Sequence, residues 1–590
     1  AAINTSSTGS SAIVAKAGGT ASISVSGQTS AGADGIVADG AAVTIDIAKA
    51  GAVIAGGDAI VAGIPATDGS RSAGGISVVN AGLISARGQA IHITNGSANI
   101  TNTGMIAGSI TLADGNDSLT NGGIFAMSKD SNFGGGTDLF VNTGIVSVLA
   151  GASRAATVAL LGLDRFENRG GLIDLRNGHV GDQLVLPGDY VGSAGARLGL
   201  DVRLSGDGAA DTLVVKGAAT GKTSIVLTNT SQGPAKLLAK PVTLVQVGTG
   251  SASDAFTLAT PENGFVAYTL AFSPGTDSFG LTTTTGSSVR RLTQVTQGAQ
   301  AIWGQQASAW ASHMASRRDE DDTSQRLWGQ TYGKVDTHRT QASGYDLGYR
   351  QDYYGVQMGV DVAATPTGDT SHLVFGLTAA YLSSNLNLRS GAERLRYDTV
   401  GFGGYASFTA GTLFANLLGQ YNHYAIAARD GVLKWSDDIN GNGYGAEAEI
   451  GGRLGGARFF AEPTVGLSWQ HTEIGTLHAL DQAIAFGDGT AFSGRLGARI
   501  GGTTAIGAGT AVFYARAGYA HRFSGNGSAT LQSGGTSASV SGPPLADYGQ
   551  GAVGVTLLSA GRVSGFIEGN VDVGRAYTGG GGRVGLRFKL

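Results

Sequence analysis

The chain reads as all-β in two parts, an N-terminal right-handed parallel β-helix (a solenoid) and a C-terminal twelve-stranded antiparallel transmembrane β-barrel with an α-helix through its pore. Three observations predict this. A short glycine-rich unit recurs through the first third, and long apolar–polar alternations fill the last half. The chain then ends on Arg583-Val584-Gly585-Leu586-Arg587-Phe588-Lys589-Leu590. Successive strand side chains point to opposite faces, so Val584, Leu586, Phe588 and Leu590 share one face while Arg583, Arg587 and Lys589 share the other. An apolar face against lipid with cations toward water is the pattern of a membrane barrel's closing strand.

Composition narrows the classes. The 590 residues include 99 Gly, 10 Pro and no Cys, with 14% charged residues and a net charge of -4. That fits neither a disordered chain nor a nucleic-acid binder. Without cysteine there is no disulfide framework and no Cys-ligated zinc. No uncharged apolar run reaches the roughly 18 residues of a membrane helix, so any spanning falls to strands. Ala1 opens without a charged start or apolar stretch, and the expectation is that a secretory signal has been removed.

Residues 1–204 repeat Asn-x-Gly with Ile, Leu or Met close behind, at Asn80, Asn102, Asn121, Asn142 and Asn168, in steps of 22, 19, 21 and 26 residues. Units this short cannot bury a core alone and must stack. Asn then forms a ladder of stacked copies, and Gly turns the corners; the Asn positions read as structural. Residues 205–285 are denser in β-branched and apolar side chains, around Asp211 to Thr228 and Ala255 to Leu270, and suit a cap over the open solenoid end.

From Ser287 or Ser288, a helix capped by serine runs to Arg318, and 286–322 form the helix and its linker. Gly298 and Gly304 weaken it. Thirty residues span roughly 45 Å, enough to cross the apolar layer. Arg290, Arg291, Gln294, Gln297, Gln305 and Gln306 make it too polar for lipid and suited to a wet lumen. The acidic run Asp319 to Asp322 reads as a solvated turn.

Residues 323–590 form the barrel. Ala461, Pro463, Val465, Leu467 and Trp469 alternate with Glu462 and polar partners. Phe492, Leu496, Ala498 and Ile500 alternate with Arg495 and Arg499, and Val563, Ile567, Val571 and Val573 with Glu568 and Asp572, although Phe566 falls on the polar face. Short Gly turns near Gly368, Gly411, Gly455, Gly507 and Gly561 alternate with long polar stretches at 337–348, 383–393, 427–441, 473–489, 524–544 and 575–582. Five turns and six loops join twelve strands, with the turns on the periplasmic side.

The whole chain resembles the monomeric autotransporters of type V secretion: a solenoid passenger, an autochaperone-like cap, a pore helix, a barrel opening on Leu327-Trp328-Gly329-Gln330-Thr331-Tyr332-Gly333, Glu462-Pro463 in a middle strand, and the terminal strand. The resemblance implies that the chain secretes and displays its own passenger at the surface of a Gram-negative cell. It implies, as partners, outer-membrane lipid, periplasmic chaperones and the barrel-assembly machinery, which reads a terminal signal filled here by Arg583, Gly585, Phe588 and Leu590. The usual final residue is Phe, so Leu590 departs from the commonest form. Many relatives cut the pore helix at an Asn pair; this helix holds no Asn, and the passenger is expected to stay attached.

Catalytic candidates fall away. Gly115-Asn116-Asp117-Ser118-Leu119 partly matches a lipase block and a calcium nonapeptide, but Asn116 breaks the first and there is one copy of the second. Gly535-Thr536-Ser537-Ala538 matches part of a subtilisin-type serine block without the preceding Asp and His blocks. His92 reads as a surface residue in a turn. The expectations are no catalytic residue, no metal, no cofactor and no nucleic acid, and a monomer whose passenger is adhesive or structural, meeting a ligand on a host or neighbouring cell. A hydrolytic passenger and a passive pore are the alternatives. Arg495, Arg499, Arg516, Arg583 and Arg587, with Glu462 and Glu568, are expected to face the lumen and meet the pore helix.

Overall fold

The computed structural model describes residues 3–5, 9–63, 75–148, 155–204, 208–320, 324–363, 371–456, 458–559 and 561–590. They fall into two compact units, 1–284 and 285–590.

In the first unit, short strands stack in parallel and in register. Ile13–Lys16, Thr20–Val25 and Gln28–Ala31 lie beside Ile36–Asp39, Ala42–Ile47 and Ala52–Ala55 in the next coil. Because each coil repeats the same inward positions, one face carries a continuous buried ladder through Ile23, Ile45, Val78, Ile100, Leu119, Phe140, Phe166 and Tyr190. Each such side chain contributes about 1.5–3 kcal/mol by leaving water. Large rings take over toward the C-terminal coils. Phe140 to Phe166, Phe166 to Tyr190, Tyr190 to Phe256 and Phe256 to Phe279 follow at 4.7, 6.0, 5.7 and 5.0 Å between centroids. The stack runs into the cap, where Val242–Gln246 pairs antiparallel with Ser278–Thr285 and ends the parallel order.

The recurring asparagines are wholly buried and bonded to one another. The Nδ2 of Asn80, Asn102, Asn121 and Asn142 donates to Oδ1 of the next, at 2.7, 2.7, 2.9 and 3.1 Å. Each also donates to a carbonyl one coil on, as Asn121 does to Ile145 at 3.0 Å. Asn168 ends the ladder against the Tyr190 hydroxyl. A second ladder uses carboxylates. Asp117 accepts the Ala98 N–H, Asp138 that of Asp117, and Asp164 that of Asp138. Burial pushes the Asp117 carboxyl up to about 6, against the lowering effect of the Ala98 bond. Asp211, buried beside Asp182 and Asp201, is pushed up to about 7 although three N–H groups bond to it.

The sequence motifs in this unit serve the fold. Ser118 donates to Asn99 at 3.1 Å, beside the buried Asp117. His92 lies in the strand Leu83–Ile93 rather than in a turn, with Nδ1 2.8 Å from Asp58 Oδ2.

In the second unit, twelve long antiparallel strands among the described residues close on themselves. They are β1 (Arg326–His338), β2 (Tyr349–Ala363), β3 (Ser371–Leu388), β4 (Glu393–Ala410), β5 (Leu413–Asp430), β6 (Trp435–Gly452), β7 (Phe459–Ile474), β8 (Gly489–Ile506), β9 (Gly509–Ser524), β10 (Tyr548–Leu558), β11 (Val563–Gly574) and β12 (Tyr577–Lys589). β12 pairs with β1 from Lys589 opposite Arg326 to Tyr577 opposite His338, and this leaves no free edge. Leu496, Ile567, Leu586 and Leu590 are 62, 55, 50 and 67% exposed on the outside, while Glu462, Arg499 and Arg587 are buried within.

Phe566, the exception to the alternation, has a reason. Its ring covers Gly585 on β12, where an added Cβ would sit 2.3 Å from the ring. Tyr405 covers Gly376 in the same way. Glycine in these strands makes room for aromatic rings lying flat on the lumen wall.

Several loop expectations need correction. Residues 383–393, 427–441 and 575–582 are mostly strand, joined by turns as short as Arg575–Ala576. Polar side chains end the lipid-facing band there, but the main chains still pair. The 473–489 and 524–544 segments carry a four-stranded sheet of Leu477–Ala479, Gln482–Phe486, Ser528–Ser533 and Thr536–Ser541. Gly535 lies in the turn of that sheet's last hairpin, and Thr536, Ser537 and Ala538 open its final strand. The expected turn at Gly368 lies outside the described residues.

Candidate functional site

The lumen is occupied by α1 (Ser287–Leu292) and α2 (Gln294–Arg317), broken at Thr293. The N-cap is Gly286, not serine; the Ser288 hydroxyl instead donates to Glu393 at 2.6 Å. Buried Glu393, at the start of β4, also takes Arg291 Nη2 at 2.6 Å and so fixes the entry of the helix.

Along its middle, the helix is held by its own main chain. Tyr397 donates to the Val295 carbonyl at 2.9 Å, Gln351 to the Gly298 carbonyl at 3.1 Å, and Arg583 to the Ser308 carbonyl at 2.7 Å. Gln297 reaches the Pro543 carbonyl at 2.8 Å. The rod is not polar all round. Trp303, Ala307, Trp310 and Met314 pack with Trp328, Tyr405 and Leu418 as a buried apolar seam. Their spacing of four, three and four residues is a helix face legible in the sequence that sequence reasoning missed.

At the C-terminal end of α2, the charges form rings. Asp361 on β2 accepts Tyr405 Oη at 2.5 Å and Arg317 Nε at 2.9 Å, with His313 Nε2 at 3.2 Å. His313 stacks on Trp328 at 4.1 Å. Glu462 meets Arg318, Arg453 and Arg499 at 3.3, 3.2 and 3.3 Å. Asp319 binds Arg499 at 2.5 Å and Arg453 at 3.1 Å. Glu320 binds Arg587 at 2.9 Å, Ser564 at 2.6 Å, and Arg326. Glu568 takes Arg583 and Arg516, each at 3.2 Å, and Ser312 at 3.4 Å.

The rings sort the expected residues. Glu462, Arg499, Glu568, Arg583 and Arg587 all meet the helix or its C-terminal extension. Among the described residues, the ion pairs of Arg495 and Arg516 are with the wall carboxylates Glu447 and Glu568. Of the terminal signal, Phe588 and Leu590 point outward, Arg583 inward, and Gly585 lies under the Phe566 ring. The acidic run is not a solvated turn: the Asp319 and Glu320 side chains are 0 and 6% exposed, and 321–322 lie outside the described residues. The arginines supplied from the wall make that burial affordable. Asp361 and Glu393 were missed because a single carboxylate in a long strand carries no sequence signal of its partner.

A closed twelve-stranded barrel plugged by a helix from a preceding β-solenoid matches two families. The autotransporter β-domain covers residues 327–570 and the type 1 autochaperone domain residues 163–270. The chain's C-terminal half is an autotransporter β-domain. An uncharacterized protein of Escherichia coli K12, YuaQ, is 24% identical over 381 residues, 59% of this chain; the match spans 27% of that relative's length. Among solved structures, the β domain of the Bordetella autotransporter BrkA is 17% identical, covering 46% of this chain and all of that one, with a TM-score of 0.35. The transport unit of AIDA-I from E. coli is 17% identical over 46% of this chain and 92% of its own, at 0.40. The translocator domain of NalP from Neisseria meningitidis is 15% identical over 50 and 99%, at 0.39. An autotransporter β-domain places this barrel in the outer membrane of a Gram-negative bacterium. No helix among the described residues is long and apolar enough to cross the membrane, and the strands do the crossing.

Proposed function

We propose that the passenger is an adhesive or structural surface module that stays joined to its barrel, and that it is not an enzyme. The outer face of the solenoid carries this reading. Leu83, Met105, Ile124 and Ile145 stack in register as an outward aliphatic row, with Ile124 and Ile145 38 and 36% exposed. Such rows on a rigid face suit contact with a ligand on a host or neighbouring cell. Retention is supported by the pore helix, α1 with α2, which has no Asn and is tied by buried ion pairs at its start, through Arg291, and at its end, through Arg317. Folding of the barrel would draw on the assembly machinery and periplasmic chaperones, with the chain acting as a monomer in outer-membrane lipid.

The test uses intact cells. Antibody to the N-terminal half should label them, and purified outer membranes should give one full-length band. A separate barrel fragment would overturn retention, and turnover of ester or peptide substrates by labelled cells would overturn the non-enzymatic reading. Substituting Ile124→Asp and Ile145→Asp should lower cell–cell or cell–matrix attachment at unchanged surface labelling.

A further inference from the structure

We propose that the barrel keeps an anion-selective water path alongside α2, shut toward the periplasm by the ion pairs of Asp319 and Glu320. The helix leans on the side of the wall carrying Gln351, Asp361, Tyr397 and Tyr405. On the other side it leaves a cavity of about 90 Å³, bounded by Gln300, Gly304 and Ser308 of α2 and by β1 and β6 to β12. That is room for several water molecules.

The cavity has to be wet. Gln300 is 1% exposed, and neither its Nε2 nor its Oε1 has a protein partner among the described residues; the same holds for Gln470 Oε1 and Asn570 Oδ1. Buried amides without partners require water.

Its charge is unbalanced. Lys334, Arg495, Arg516, Arg522 and Arg583 line it, against three carboxylates, Asp336, Glu447 and Asp572. Arg495 is tied to Glu447, Arg516 and Arg583 to Glu568, and Lys334 to Asp572. The Arg522 guanidinium faces no carboxylate among the described residues; it lies 5.9 Å from the Tyr548 ring. A narrow low-dielectric passage focuses the field of such a charge, and cationic linings select anions.

The passage stops at a septum. A second hollow, of about 680 Å³, opens at the periplasmic end and is lined by Arg318, Asp319, Glu320 and Arg453. Between the two hollows lie Arg499, Glu462, Arg587 and Ser316, bound to one another or to Asp319 and Glu320. Removing the Asp319 carboxylate thins this layer without stranding a guanidinium, because Arg499 and Arg453 both keep Glu462.

The experiment is planar-bilayer recording of the full-length chain in a KCl gradient. D319A should raise conductance at least threefold over the unsubstituted chain, with the reversal potential displaced toward chloride. R522E added to D319A should carry the reversal potential back through zero. Heat-modifiable migration checks folding, and E320Q serves as the septum variant if D319A fails to fold. Unchanged conductance in the folded septum variant, a reversal toward potassium, or no response to R522E would overturn the proposal.

Discussion

Arg317, the last residue of α2, donates Nε to Asp361 Oδ2 on β2 across 2.9 Å, with the Arg317 side chain 11% and the Asp361 side chain 0% exposed. This pair, reinforced by Tyr405 and His313, docks the end of the plug on the wall. Two such charges are costly to bury unless both are matched, so the docking is cooperative with the whole ring.

Asp361→Ala removes the shared acceptor and leaves Arg317 and His313 buried. The expected loss is about 3–5 kcal/mol. It should appear as a lower temperature for loss of the fast-migrating folded barrel on gels, and as protease cutting within α2.

Asn121→Ala breaks the passenger ladder in the middle. Asn102 loses its acceptor, and Asn142 and the Ile145 carbonyl lose their donor, inside a buried stack. About 3 kcal/mol is expected, from groups left without partners. Urea titration of the full chain, followed by protease sensitivity of the N-terminal half, measures it.

The two helix glycines should respond in opposite directions. A Cβ at Gly304 meets nothing within 4 Å, so Gly304→Ala should gain about 1 kcal/mol of helix propensity. At Gly298 it would lie 2.7 Å from the Tyr397 hydroxyl and 2.8 Å from Leu386 Cδ1. Gly298→Val should therefore lose about 1–3 kcal/mol of barrel stability by overpacking. Thermal melts of the two variants in detergent compare them directly.

The passenger should be most stable near pH 4. Asp117 and Asp211 have folded pKa values raised to about 6 and about 7, so the folded state holds their protons after an unfolded Asp, near 3.9, has released them. Their contribution is complete below about 4 and is lost as pH rises through 7, at about 1.4 kcal/mol per pKa unit. Glu167 acts oppositely: Arg165 and Arg169 lower its pKa, and its contribution disappears as pH falls below the usual carboxylate range. Protease-detected melting of the passenger from pH 4 to 8 should show the fall on the alkaline side, and D211N should flatten it.

The sequence by itself determined what depends on period. The twenty-odd-residue spacing of Asn80 to Asn168 required stacked coils, because one coil cannot bury a core, and the two-residue alternation of Val584 to Leu590 required one wet and one apolar face. Those patterns are local, so they are written out along the chain. Only the tertiary structure decided which charges meet: that Arg499 serves Asp319 while Arg495 serves Glu447, that the Asp319 and Glu320 carboxylates are buried, and that Gly585 lies beneath Phe566. Barrel closure brings strands hundreds of residues apart within hydrogen-bond reach of one helix, and no local pattern records which side chain lies across a lumen.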